Sequence, residues 1–441
     1  MKQEAVSAVP EAAKQGTEGR HREWWWTEAS IWTERMVSAL VNGVKGGKWF
    51  SLVDKVIRPT TLEAAWRKVA RNKGAAGVDG QSIERFATQA ERYLEELQHS
   101  LRDGSYRPQP VKRVEIPKAD GRTRPLGIPT VKDRIVQTAL KMAIEPIFEV
   151  QFRPGSYGFR PGRSCKDALR EVDRLLKEGF AHVVDADLKG YFDSIPQDRL
   201  MARVGERVSD GRVLTLIEAF LQQDIMNGMA RWRPTTGTPQ GAVLSPLLAN
   251  IYLHPLDLLM EQGGHRMVRY ADDFVILCRT EGEALAALRQ VEAWVTANGL
   301  TLHPDKTRVG DSRQPGQGFD FLGYRFEAGR RLVRKKSLKA LKDKVRSRTI
   351  RSRGDSLERI IADLNPVLRG WFGYFKHATP ALFGVLDGFV RRRLRAVLRK
   401  QDKRPGIGRC KADHQQWPNA FFADRGLFTL RAAFEQARGS R

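Results

Sequence analysis

Cysteine is nearly missing from this chain: Cys165, Cys278 and Cys410 lie far apart and form no CxxC pair. That excludes a disulfide scaffold and a cysteine zinc ribbon, and it fits a reducing compartment. Long apolar runs are missing too, none approaching the ~20 residues that a membrane span needs. The opening MKQEAVSAVPEAAKQGTEGR has no apolar stretch of the secretory kind. The expected location is the cytoplasm, without a membrane partner. Acids are the third shortage: 51 Asp and Glu face 76 Lys and Arg, a formal charge of +25. Self-repulsion on that scale calls for a polyanionic partner. A hydrophobic share of 41% meanwhile excludes a disordered chain.

The charge is concentrated. Residues 331–400 hold twenty Lys or Arg against five Asp or Glu, interleaved with Trp371, Phe372, Tyr374, Phe375 and Phe383. Cations for phosphates and aromatic faces for bases together predict a nucleic-acid surface.

Upstream, residues 24–48 carry four tryptophans and end in the Gly-rich VNGVKGGK, which reads as a small helical element closed by a linker. Periodicity predicts helices over 61–71, 82–101, 133–149, 164–178, 198–222 and 283–298, and a long apolar helix in GAVLSPLLANIYLHPLDLLM. VKRVEIPKADGRTRPLGIP reads as a β-hairpin turning at Asp120-Gly121, HVVDADL as a buried strand, and MVRYADDFVILCRT as two strands about a tight turn. Strands and helices in alternation, followed by a basic helical end, predict an α+β core and an α-helical domain.

Two segments place acids where acids are expensive. Asp185 and Asp187 end the apolar strand of VVDADLKGYFD, and Asp272 and Asp273 interrupt the apolar run of RYADDFVILC. Crowded carboxylates among Val, Ile, Leu and Phe demand a neutralising cation. Mg²⁺ accepts a few carboxylates and keeps positions for water and phosphate oxygens. Alone, either pair reads equally well as a turn or a helix N-cap.

Together they are more specific. YADD at Tyr270–Asp273 and DLKGYFD at Asp187–Asp193 resemble the catalytic motifs of reverse transcriptases. KGAAGVDG with IPKADGRTRPLGIPTVKDRIVQ, then SYGFRPGRSCKDAL, TTGTPQGAVLSPLLANIYL, LTLHPDKT, FDFLGYRF and LNPVLRGWFGYFK, resemble the blocks of reverse transcriptase/maturases encoded by group II introns. The resemblance covers roughly residues 59–400. It implies a right-hand polymerase fold: fingers over 59–180, palm over 181–330 and a helical thumb or maturase domain over 331–400. A Trp-rich, partly flexible extension (1–58) precedes these, and a short basic tail (401–441), a candidate minimal DNA-binding region, follows. The tail lacks the paired cysteines of an HNH endonuclease, which resembles the compact, class C-like branch.

The resemblance also assigns roles. Asp187, Asp272 and Asp273 would be the catalytic metal ligands, helped by the Leu188 carbonyl, with two Mg²⁺ ions (or Mn²⁺) as cofactor. Asp193 is expected to cap the following segment and Asp185 to support the metal ligands. Lys118, Arg124, Phe192, Gln240 and Lys306 would meet the nucleotide: a phosphate-gripping pair, a steric gate against the 2′-hydroxyl, a base or template contact, and a proton donor to pyrophosphate. Arg160 and Arg163 would hold template phosphates; Phe321, Leu322, Gly323 and Tyr324 would form the primer grip; Arg391, Arg392 and Arg393 would bind RNA from the thumb. Implied partners are group II intron RNA, an RNA template–DNA primer duplex, target DNA and dNTPs. Two other functions compete: a host-adapted reverse transcriptase of defence or repair, and a polymerase-dead RNA-binding splicing factor, against which the intact YADD counts.

Overall fold

The computed structural model of the chain describes residues 24–44, 46–117 and 123–439. Eleven strands are present among the described residues: β1 (Val111–Pro117), β2 (Thr123–Ile128), β3 (His182–Asp187), β4 (Ile225–Asn227), β5 (Ala230–Trp232), β6 (Arg266–Tyr270), β7 (Asp273–Cys278), β8 (Arg308–Asp311), β9 (Phe319–Phe321), β10 (Tyr324–Glu327) and β11 (Arg330–Val333). With the helices around them they make the expected α+β protein, in two compact units. The first holds residues up to Gly179, Ala186–Cys278 and Gly282–Arg308; the second holds Phe180–Asp185, Arg279–Glu281 and the chain from Val309 on.

In the first unit, β1 and β2 form the expected antiparallel hairpin, with Val114 opposite Leu126. β1 also pairs in parallel with β4, which turns back into β5, in the order β2–β1–β4–β5. The helix Val131–Glu149 packs against the helices Pro59–Arg71 and Ser245–Gln262; it is started by Thr130 (its hydroxyl accepts the Asp133 N–H at 3.1 Å) and buried along most of its length. The other central helix, Ser245–Gln262, is buried through Leu247, Leu248, Ile251, Tyr252 and Leu256. Burial of each such side chain contributes about 1.5–3 kcal/mol.

Two long predicted helices are broken. The 82–101 pattern is two helices, Ile83–Ala87 and Ala90–Asp103, and 198–222 is Gln197–Gly205 and Gly211–Leu221. The second break has a clear cause in Asp210. One carboxylate oxygen caps the new helix by accepting from Arg212 and Val213 N–H (3.1 and 3.2 Å), and the other accepts from Leu52 and Val53 N–H (2.6 and 2.8 Å). That same acid ties the N-terminal extension down. Trp49 bridges Val208, and the Trp32 indole donates to the Met142 carbonyl at 2.8 Å. Residues 24–58 are thus anchored to the body through Trp32, Trp49, Leu52 and Val53.

The second unit carries β9, β10 and β11 in an antiparallel sheet, β10 in the middle, and a helical array. In Leu357–Phe375 the buried positions are Leu357, Ile360, Ile361, Leu364, Leu368, Phe372 and Phe375, a 3–4 spacing that defines one apolar face. Ser356 caps its start. The tail beyond residue 400 folds into three short helices that belong to this unit: Asp387 accepts from Leu430 and Arg431 N–H (2.9 and 3.0 Å), and Asn365 binds Gly426 and Phe428.

Candidate active site

The YADD residues occupy the turn between β6 and β7, where Tyr270 pairs with Asp273. Ala271 sits at φ 61°, a left-handed conformation that costs a non-glycine residue roughly 1–2 kcal/mol. Arg269 holds it there. This fully buried guanidinium donates to the Ala271 carbonyl (2.9 Å), Asn250 Oδ1 (3.0 Å), Ser156 Oγ (2.8 Å) and both oxygens of buried Asp257 (2.7 and 2.5 Å). The segment GSYGF packs behind the turn: Tyr157 N–H bonds the Arg269 carbonyl, and a Cβ at Gly158 would meet Ala271 N at 2.2 Å. Only glycine permits that approach.

Asp187 ends β3. Its carbonyl accepts from His303 N–H at 2.8 Å and Lys189 N–H bonds the Thr301 carbonyl, so these bonds skip Leu188, the residue assigned a metal-facing carbonyl. The Asp187 carboxylate is ion-paired with Lys306. The Asp272 carboxyl is pushed above its usual range, first by burial and then by the charge of Asp187, with Arg124 and Lys306 acting in the opposite direction. Two acids that repel across a half-buried space, with lysine as their nearest relief, form a hard-oxygen donor set suited to a divalent cation. Among the described residues, no three acids, histidines or cysteines already converge on one point. Uncompensated carboxylates resist such convergence.

The TPQG loop is bonded both to the hairpin and to the segment that follows β3. Gly127 N–H bonds the Gln240 carbonyl at 2.6 Å, Thr238 N–H bonds the Phe192 carbonyl at 2.7 Å, and at Gly241 (φ 104°) a Cβ would meet the Gly127 oxygen at 2.3 Å. Gln240 therefore lies between Arg124, which donates to its Oε1 at 2.9 Å, and Asp193, which accepts from its Nε2 at 3.3 Å. The Asp193 carboxyl is raised by burial while Arg113 and Arg124 pull it down. Asp193 is not the cap expected of it but one end of an acid–amide–guanidinium row.

Phe192 is 9% exposed, edge-on to Phe159 at 6.4 Å between centroids; Phe159 in turn lies 6.4 Å from Tyr270. Phe159 is 44% exposed at φ 59°, an aromatic held in a strained conformation above the turn. Phe159 and Arg269 are site residues to which the motifs assign no role, and Asp193 is one to which they assign a different role. Positive φ and burial, visible only in three dimensions, mark them out. Lys118 lies outside the described residues.

Four further expectations need correction. Arg160 is buried, chelates Glu149 (2.7 Å) and donates to the carbonyls of Arg153 and Ser156 (2.7 Å each), so its charge is spent within the fold and is not offered to template phosphate. Arg163 keeps partial exposure, with Nη1 on the Pro154 carbonyl. In the second unit FLGY does form a tight turn, with Leu322 and Gly323 at φ 47° and 84°. The side chains of Phe321 and Tyr324 are buried, however, and the Tyr324 hydroxyl donates to the Tyr374 carbonyl, so only backbone and Leu322–Gly323 can face a primer. Three of the thumb aromatics are likewise core, not displayed for bases: Phe372 is buried against Phe383 and Phe428, and Phe375 against Tyr324 and Trp371, while Trp371 and Tyr374 are half-buried. Arg393 is used on Thr349, at 2.9 Å to the hydroxyl and 2.6 Å to the carbonyl. What remains outward is a cluster around Phe389, whose ring carries Arg392 at 5.5 Å, Arg346 at 5.7 Å and Lys342 at 5.9 Å. Arg391 is half-buried and acts on Asp387 and Arg395, not on this ring.

Residues 116–326 match the family described as "Reverse transcriptase (RNA-dependent DNA polymerase)", and residues 338–417 match "Group II intron, maturase-specific domain". Protein YkfC of Escherichia coli (strain K12) is 35% identical over 328 residues, 65% of this chain and 84% of that one. Group II intron-encoded protein LtrA of Lactococcus lactis subsp. cremoris is 38% identical over 210 residues, 47% of this chain and 34% of LtrA. The uncharacterized 91 kDa protein in cob intron of Schizosaccharomyces pombe is 38% identical over 184 residues, 42% of this chain and 22% of that protein. The matched part therefore spans about a third or less of the last two relatives. Among the described residues, no helix is long and apolar enough to cross a membrane.

Proposed function

Because the chain belongs to the group II intron reverse transcriptases and maturases, a family of RNA-directed DNA polymerases, we propose that it extends a DNA 3′-hydroxyl on an RNA template and assists its parent intron. The observation that carries this reading is the half-buried pair Asp187 and Asp272, set at the ends of β3 and the β6–β7 turn with Lys306 as counter-charge. Asp187, Asp272 and Asp273 would hold the divalent ions on which the family depends, two Mg²⁺ in this proposal. Bound there, such ions activate the attacking hydroxyl and neutralise the departing pyrophosphate. Lys306 must leave Asp187 as they arrive, which places its ammonium near the leaving group.

Arg124 grips the triphosphate of the incoming nucleotide, and the Gln240–Asp193 pair fixes the direction of its guanidinium. Phe192, braced by Phe159, closes the space beside the sugar. Phe192→Ala is expected to admit ribonucleotides about tenfold more readily while deoxynucleotide addition continues, since a removed ring no longer clashes with one oxygen. Competing incorporation of both sugars reads this out; an unchanged ratio makes Phe192 a core residue and nothing more.

Intron RNA and the template–primer duplex are assigned to the basic second unit, through Lys342, Arg346 and Arg392 around Phe389. Each phosphate neutralised on a duplex contributes about 0.9 to the slope of log affinity against log salt. Replacing Lys342, Arg346 and Arg392 with Gln is expected to shallow that slope by about two to three. A folded triple variant with the wild-type slope removes this surface from the proposal. Primer extension on an RNA template, with sequencing of the RNA that copurifies, tests the whole reading.

A further inference from the structure

A cavity that none of Asp187, Asp272 and Asp273 lines lies between the N-terminal extension and the 147–163 segment. It encloses about 820 Å³ and is lined by Trp24, Trp26, Trp49 and Phe152 together with Arg163 and Arg207. Its chemistry is one-sided. Trp24 is 8% exposed, and its indole N–H is buried with no acceptor among the described residues. The cavity's one acid, Glu149, is consumed by Arg160, with Arg160 Nε and Nη2 both on its carboxylate. Two guanidinium groups therefore remain uncancelled: Arg163, and the exposed Arg207, whose side chain has no partner among the described residues. Donors, positive charge and π-faces dominate, and beside Glu149 the side-chain acceptors are the amide oxygens of Asn42 and Gln151, neither of which carries charge. An occupant must bring acceptors, negative charge and a flat ring.

We propose that this cavity binds one unstacked nucleotide of a single-stranded RNA, its base against Trp26 and Trp49 and its phosphate on Arg207 and Arg163, with the Trp24 N–H donating to a base or phosphate oxygen. A peptide or lipid would leave the ring faces or the two cations unmatched; a nucleotide satisfies both. The location supports this. The segment 153–163 that supplies Arg163 also supplies Phe159 beside Phe192, so a strand held at the cavity is held by the same loop that lines the catalytic turn. Free nucleotide is the smaller version of this chemistry, and the test separates the two.

The inference rests on the nucleic-acid reading above, and its failure is distinguishable from failure of that reading. A short single-stranded RNA containing 4-thiouridine is bound to the full chain, irradiated, and the crosslinked peptides mapped by mass spectrometry. Crosslinks are expected in the peptides holding Trp24–Trp26 or Trp49. Trp26→Ala is expected to weaken that RNA about tenfold at low and high salt alike, and Trp26→Phe to restore most of the loss, since the ring stacks rather than charges. Arg207→Ala is expected to shallow the salt slope by about 0.7, one single-strand phosphate. AMP and GMP are titrated alongside; binding of either as tight as RNA would overturn the strand-binding assignment. If the chain binds no RNA, the function proposed above falls. If it binds RNA with crosslinks elsewhere and with both variants at wild-type affinity and slope, the cavity assignment falls alone.

Discussion

Asp272→Ala, and separately Asp187→Ala, is expected to lower DNA synthesis on a primed RNA template by a thousandfold or more, about 4 kcal/mol of transition-state stabilisation, while RNA binding persists. The loss is large because the two carboxylates act on the reacting atoms through one cation-holding arrangement. Neither alone gathers enough negative charge to strip a divalent ion of its water. The Asp272 carboxyl, already raised by burial and by Asp187, sits in a space that tolerates a second charge only when something cancels it. Removing either acid should therefore also relieve repulsion, so thermal stability measured without divalent ions should stay level or rise. That pairing of outcomes separates a catalytic acid from a structural one, whose removal would lower both. Single-turnover primer extension with Mg²⁺ and a melting curve in chelator are the two measurements. Wild-type synthesis in either variant withdraws the assignment.

The acids were legible in the amino-acid sequence because they break apolar runs: Asp187 after HVVDA and Asp272 before DFVILC are placed where only function or a partner justifies a charge. The residues around them were not. Asp193 ends the first motif and reads as a cap; its partner Gln240 is 47 positions away. Arg269 is one of 76 cations, and nothing local says that its counter-ion Asp257 lies on a neighbouring helix. Arg160 shows the opposite error. It sits in a Gly- and Pro-rich segment that looks like an exposed phosphate grip, yet Glu149 at the end of the preceding helix claims it.

Fold was more readable than surface. The hairpin, the strand ending in Asp187, the YADD turn and most helices appear where periodicity places them, because period 2 and period 3.6 are local properties. Helix breaks were missed where the breaking interaction is distant, as at Asp210, which serves Leu52 and Val53 as well as its own helix. In the second unit, composition misled where spacing would not have. Leu368, Phe372 and Phe375 recur at intervals of four and three, an inward face, whereas the density of charge around them suggested display to bases. The cations do gather on a surface, but around Phe389 and without Arg393.

Arg269→Met is expected to lower folding stability by about 3–5 kcal/mol, because it strands Asp257 as an unpaired charge at 3% exposure. Denaturant unfolding monitored on the full chain gives the figure. Arg269→Lys should recover little: an ammonium is a point donor, and it cannot reach Asp257, Asn250, Ser156 and the Ala271 carbonyl together as the planar fork does. The informative variant is the double replacement Arg269→Met with Asp257→Leu. Exchanging a buried ion pair for apolar side chains is often neutral or stabilising, so stability should return to near the wild-type value. Synthesis should not. Ala271 keeps its left-handed φ of 61° only while something holds its carbonyl, and methionine offers no donor. The turn is then expected to relax and Asp272 and Asp273 to shift, raising the Mg²⁺ concentration needed for half-maximal extension. A double variant that regains both stability and the wild-type Mg²⁺ requirement would make Arg269 a core ion pair with no part in positioning the catalytic turn.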